Sequence, residues 1–104
     1  SYVSVPELMS FVRAGFRDDT ADERVRALAG VTLLVLDDLG AGKRSEWTDD
    51  VLFRILNERW RDERATLVTS NSPLEEHEER IASRLAQMCQ EIRLRVGDYR
   101  RLRG

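Results

Sequence analysis

Apolar residues recur along this chain at two different periods, and the switches between them mark its elements. Leu8, Met9, Val12 and Phe16 follow Pro6 at helical spacing, which predicts an amphipathic helix over residues 6–16 with proline pre-set in its first turn and a short strand over residues 2–5 before it. Asp18, Asp19 and Thr20 break the pattern. Val25, Leu28 and Ala29 define a second helix over residues 21–29, with Gly30 expected as its C-terminal cap. The run VTLLVL then stops abruptly on Asp37 and Asp38. Uninterrupted apolar sequence predicts a strand over residues 32–36 that is buried on both faces, as in a parallel sheet covered by helices.

Beyond the two acids, residues 40–44 form a polar turn and Ser45 is placed to cap a further helix, with Glu46, Asp49 and Asp50 at its positive end. Trp47, Val51, Leu52, Ile55, Leu56 and Trp60 supply its apolar positions, while Arg59, Arg61 and Arg64 sit near its negative end. Residues 65–69, ATLVT, read as another strand. Ser72 and Glu75 have capping-box spacing around Pro73, and Ile81, Leu85 and Met88 share one helical face. Residues 91–96 alternate, with Ile92, Leu94 and Val96 on one side and Glu91, Arg93 and Arg95 on the other, which predicts a half-exposed edge strand. The order β-α-α-β-α-β-α-β predicts a parallel sheet with right-handed crossovers, hence a layered α/β fold.

Composition narrows this picture. At 104 residues the chain is one domain at most, below the size at which a nucleotide-binding α/β domain is usually complete. The net charge of −2 neither drives it onto nucleic acid nor excludes it, although Arg93, Arg95, Arg100, Arg101 and Arg103 make its end basic. Cys89 is the single cysteine, which rules out an intrachain disulfide and a cysteine-based zinc site within these residues and fits a reducing, cytoplasmic setting. The longest apolar run is too short to span a bilayer and no signal-peptide pattern opens the sequence, so no membrane association is expected.

The chemistry concentrates at Asp37 and Asp38. Two carboxylates at the end of a buried strand are costly unless a cation or a polarised water uses them, and open α/β sheets bind ligands at the carboxyl ends of their strands. Two readings remain open from the residues alone: a solvated turn, or a metal-nucleotide site. The segment Gly40-Ala41-Gly42-Lys43 follows a strand and precedes a helix, but it lacks the earlier glycine and the Ser/Thr of a phosphate loop, having Asp37 and Arg44 there. His77, among glutamates, reads as a solvated surface residue, Trp47 and Trp60 as core and interface anchors, and Cys89 as a buried small residue.

Taken together, LLVLDDLG (33–40), SEWTDDVLFRILNERW (45–60), TLVTSN (66–71), RIASRL (80–85) and GDYR (97–100) resemble the AAA+ ATPases of the bacterial helicase-loader group, the DnaC/DnaI-like proteins, with the transposase-accessory ATPase IstB a close relative. The resemblance implies a three-layer, P-loop NTPase-like parallel sheet with helices on both faces. It also implies that residues 1–104 are part of an AAA+ domain whose first strand, phosphate loop and following helix would lie before Ser1. The missing strand would then sit between the strands at residues 65–69 and 90–96.

Residue by residue, the resemblance implies that Asp37 is the Walker B acid holding Mg²⁺ directly or through water, and that Asp38 polarises the attacking water. It assigns Asn71 as the sensor on the γ-phosphate or that water, Arg84 as the arginine finger with Arg80 a second candidate, and Arg100 as the second sensor. A guanidinium suits the finger because it is always charged and presents fixed donors to phosphate. The implied activity is Mg-ATP hydrolysis at an intersubunit site by a DNA-replication accessory protein. ATP and Mg²⁺ are the cofactors, and the implied partners are a replicative helicase, single-stranded DNA and further copies assembled head to tail. The isolated chain is expected to be inactive. Two alternatives stand beside this: a non-catalytic interaction module, and an IstB-like transposition accessory ATPase. Relatives of the transposase branch tend to carry Asp-Glu followed by an aromatic-proline stretch where this chain has Asp37-Asp38-Leu39-Gly40-Ala41, which favours the loader branch.

Overall fold

A computed structural model describes residues 1–90. The chain runs through β1 (Tyr2–Ser4), α1 (Val5–Ala14), α2 (Ala21–Gly30), β2 (Leu33–Leu39), α3 (Glu46–Arg61), β3 (Ala65–Ser70), a short 3-10 turn (Leu74–Glu76) and α4 (Glu79–Met88). The strand expected over residues 91–96, the basic end and Arg100 lie outside the described residues.

The three strands form a parallel sheet in the order β1-β2-β3. β2 is central, and its alternation decides how the layers stack. Leu34 and Leu36 are fully buried and share one core with Leu8, Met9 and Val12 of α1, Val25 and Ala29 of α2, Ile55 and Leu56 of α3, and Ile81 and Leu85 of α4. Val3 and Val68, register partners of Leu36, lie against the same core. The opposite face carries Tyr2, Leu33 and Leu67, which are 69%, 48% and 51% exposed. Among the described residues the helices therefore cover one face only. The uninterrupted VTLLVL run was expected to be buried on both faces, and the second covering layer is absent from this part of the chain.

Local chemistry explains the element ends. Ser4 caps α1 in a reciprocal capping box with Glu7, and Ser45 does the same for α3 with Thr48. α1 stops at Ala14, two residues short of the expected end, so Phe16 is 58% exposed and meets Trp47 edge-on with ring centroids 5.5 Å apart. Gly15 permits the close approach of the next helix, because a Cβ there would lie 2.7 Å from the Ala21 nitrogen. Gly30 is the last helical residue of α2 and not its cap; extended Val31 takes that place. The capping box expected at Ser72 and Glu75 does not form. Residues 74–76 make a 3-10 turn, and the Glu78 carboxylate caps α4 by accepting from the Ile81 N–H.

The largest departure from the expected core is Arg59. It was placed near the negative end of α3 with Trp60 on the apolar face; instead Arg59 is fully buried and Trp60 is 45% exposed. Its guanidinium donates to the carbonyls of Leu28 (3.3 Å), Ala29 (2.9 Å), Val31 (2.7 Å), Thr32 (3.4 Å) and Ala65 (2.6 Å) and to the Thr66 hydroxyl (2.8 Å). The C-terminus of α2 has no basic residue in its last turn, so this arginine from another helix satisfies its orphan carbonyls and meets its negative end. Burial, and after it the charge of Arg64, lowers the Arg59 pKa, but an arginine remains a cation regardless. Arg59 thus ties α2, β2 and β3 together at the amino ends of the strands, leaving their carboxyl ends for other work.

Candidate functional site

At its carboxyl end β2 departs from regular pairing. Leu36 pairs with Val68 and Leu39 with Ser70, so Asp37 and Asp38 together stand opposite Thr69 in a bulge. The strand runs through the acids to Leu39 and does not end before them. Burial shifts phase across the bulge, from Leu34 and Leu36 to Leu39, and both acids fall between buried positions. Asp38 takes φ 61°, a left-handed backbone that short polar residues tolerate better than most.

Two hydroxyls from the flanking strands hold the Asp37 carboxylate. The Tyr2 phenol donates to Oδ2 at 2.8 Å, and the Thr69 hydroxyl donates to Oδ1 while accepting the Asp38 backbone N–H at 3.1 Å. The Thr69 bond first, and the Tyr2 bond after it, keep the Asp37 carboxyl below its ordinary pKa, so it is ionised at neutral pH. The Tyr2 bond correspondingly raises the phenol. Neither Tyr2 nor Thr69 stood out in the sequence, although Thr69 is two positions before Asn71 in the strand that pairs with β2.

These residues fit Mg²⁺ accompanying a nucleotide. Magnesium keeps several waters and takes one or two carboxylates plus phosphate oxygens. Two hard acids, one of them held ionised, match that donor set. No group of three or more His, Cys, Asp or Glu that could hold a metal by protein ligands alone occurs among the described residues. The phosphate grip is a different matter. At Gly40-Ala41-Gly42-Lys43 the Ala41 N–H is spent on the Asp38 carbonyl at 3.0 Å, and both glycines have positive φ. The adjoining cavity of about 160 Å³, between this turn, α1 and α4, is too small for a nucleotide. The segment is a turn and not a phosphate loop.

His77 departs from its expected solvated position. It is half-buried, its Nε2 lies 2.8 Å from Ser70 Oγ, and its ring packs over Gly40 so closely that a Cβ there would meet Cε1 at 3.0 Å. Ser70 Oγ also accepts the Ser72 N–H at 3.0 Å. One imidazole therefore links the turn after the acids to the turn that carries Asn71. Asn71 itself is exposed and lines a cavity of about 700 Å³ along β3 with Leu67, Leu74, Leu85 and Cys89; neither acid lines it. The Cys89 thiol is half-buried there, and burial pushes its pKa up, away from reactivity.

The two candidate fingers are engaged differently. Arg80 pairs with Asp50 at 2.8 Å and Glu78 at 3.0 Å and lies over the Phe53 ring. Arg84 stacks on Trp60, 4.0 Å from the ring centroid, and donates to Gln87 at 2.7 Å; its Nε is buried without a partner. Among the described residues, Arg84 has no carboxylate within salt-bridge distance.

Residues 1–95 match the family described as IstB-like ATP binding protein. The chain belongs to that family. It is 30% identical over 70 residues to the replicative helicase loader DnaI of Bacillus subtilis (strain 168), an alignment covering 66% of this chain and 22% of the loader. The fold matches a solved structure of the replication initiator DnaA bound to AMPPCP and single-stranded DNA, with TM-score 0.74 and 22% identity over 83% of this chain and 28% of that one. It also matches the DnaC helicase loader, with TM-score 0.71 and 19% identity over 86% and 57% of the two chains. The chain thus spans about a fifth of the curated loader's length, and its three-stranded parallel sheet is part of an AAA+ P-loop NTPase fold.

Proposed function

We propose that the protein carrying this chain is a Mg-ATP-dependent replication accessory ATPase of the helicase-loader type, and that Asp37 and Asp38 form the hydrolytic half of its nucleotide site. One observation carries this reading: the bulge that sets both acids at the carboxyl end of the central strand, with Asp37 held ionised by neutral hydroxyls. Asp37 would hold Mg²⁺, directly or through water, and Asp38 would accept a hydrogen bond from the attacking water. When bound, the metal supplies charge neutralisation on the phosphates, which together with positioning is most of what phosphoryl transfer requires.

Asn71, at the end of the neighbouring strand, is assigned to the γ-phosphate or the same water, and Arg100 to phosphate in the same subunit. Arg84 is preferred over Arg80 as the finger reaching a neighbouring copy, because Arg80 already has two carboxylate partners. A replicative helicase and single-stranded DNA are proposed partners, in keeping with the names of the helicase-loader and initiator relatives, and head-to-tail copies of the protein itself are a third. No helix among the described residues is long and apolar enough to cross a membrane.

The test is Asp38→Asn in the full-length protein. ATP turnover should fall by at least about a hundredfold while ATP affinity stays within a few-fold, the pattern of a group that acts on the water and not on the bound nucleotide. Unchanged turnover refutes the assignment. Mixing Arg84→Ala subunits with subunits that retain Arg84 but cannot bind nucleotide should restore activity, and failure to do so argues against a finger acting between copies.

A further inference from the structure

We propose that Tyr2 and Thr69 are positioning residues for Asp37, two neutral clamps that fix the direction of the carboxylate without cancelling its charge. The inference rests on the reading of Asp37 as the metal-side acid and goes beyond it to residues that reading does not assign. A carboxylate has about four lone-pair positions. Tyr2, from β1, occupies one on Oδ2, and Thr69, from β3, occupies one on Oδ1. The clamp therefore comes from both flanking strands and leaves the remaining positions to be offered in one orientation.

Thr69 is itself oriented. Because its oxygen accepts the Asp38 N–H, its single proton turns toward Asp37, so the same hydroxyl fixes the bulge backbone and the side chain beside it. Tyr2 has little packing reason to be tyrosine: it is 69% exposed on the uncovered face of the sheet. Its phenolic oxygen is the part of it that makes a specific contact. The chemical identity of the donors matters as well. Among the described residues, which include 12 lysines and arginines, Asp37 has no Arg, Lys or His within salt-bridge distance. A cation would hold the acid as firmly and neutralise it; hydroxyls hold it and leave the negative charge for a ligand.

The experiment measures Mn²⁺ affinity by electron paramagnetic resonance in the full-length protein saturated with a non-hydrolysable ATP analogue, with metal-free analogue affinity as the companion readout. Tyr2→Phe and Thr69→Val should each weaken Mn²⁺ binding by about tenfold, the usual cost of losing a partner that orients a metal ligand, and leave metal-free analogue affinity unchanged. Thr69→Ser, which keeps the hydroxyl, should restore the parent value. Tyr2→Phe removes one exposed oxygen and does not threaten folding, so it decides the matter even if Thr69→Val proves unstable. Mn²⁺ affinity within twofold of the parent in Tyr2→Phe and Thr69→Val, with Asp37→Asn losing it, overturns the clamp and leaves Asp37 as the metal-side acid. Unchanged affinity in Asp37→Asn as well overturns both.

Discussion

Replacing Arg59 by methionine isolates what a buried, carbonyl-bound guanidinium contributes. Methionine fills much of the same volume, so the perturbation is chemical more than steric. Two effects oppose each other. Removing the cation recovers its desolvation cost, and exchanging buried ionic groups for apolar ones is often neutral or stabilising. Against that, three short contacts to the carbonyls of Ala29, Val31 and Ala65 are lost, and each buried acceptor left short of a donor costs roughly 1–3 kcal/mol. The C-terminus of α2 loses its positive neighbour too, worth about 0.3–1 kcal/mol.

Arg59 has no buried carboxylate partner among the described residues, so its removal strands no charge, and the guanidinium is only weakly hydrated to begin with. The stranded carbonyls should therefore win, by about 3 kcal/mol net. With a urea dependence of about 1.5 kcal/mol per molar, the unfolding midpoint of this domain should fall by about 2 M. The midpoint is read from Trp47 and Trp60 fluorescence in the full-length protein, alongside hydrogen exchange of the β2 and β3 amides. Arg59→Lys should lose roughly half as much, since a compact ammonium has three donors for six acceptors. A midpoint for Arg59→Met within about 0.3 M of the parent, or above it, would show that desolvation cancels the network.

Gly40→Ala should destabilise by about 1–2 kcal/mol, because φ 92° is unfavourable for a side chain and the new Cβ meets His77; a thermal melt measures this, and no change would mean that His77 moves aside freely. Ser4→Ala removes the α1 capping box and should cost about 1 kcal/mol, read by the same melt. The Asp37 carboxyl lies below its ordinary 3.8, so its stabilising contribution is present above that value and lost as pH falls through the lowered folded pKa. Carbon-13 NMR of metal-free protein should therefore show the Asp37 titration moving upward in Thr69→Val, and an unmoved titration contradicts the stated cause.

Periodicity, with the capping and turn residues, located β1, α1, α2, β2, α3 and β3 to within a few positions, whereas α4 begins at Glu79, six residues beyond the start that Ser72 and Pro73 suggested. What escaped was set by partners distant in sequence. Arg59 lies on the same helical stripe as the buried Thr48, Leu52, Ile55 and Leu56, but its charge placed it near the negative end of α3, because the acceptors that allow its burial lie on other segments. The bulge was invisible because register depends on β3, which shares no local signal with β2. The acids stood out as a pair, whereas the hydroxyls that hold Asp37 are 35 and 32 residues away in sequence. Resemblance, not periodicity, supplied the roles of Asn71, Arg80, Arg84 and Arg100.

The left-handed backbone at Asp38 restricts which side chains that position can accept. At φ 61° aspartate, asparagine and glycine are favoured, although the longer acid Glu63 takes φ 54° elsewhere in the chain. The second aspartate of the Asp-Asp pair suits the backbone beneath it. For anyone building an inactive form to trap partner complexes, asparagine changes the chemistry and leaves the chain's path intact.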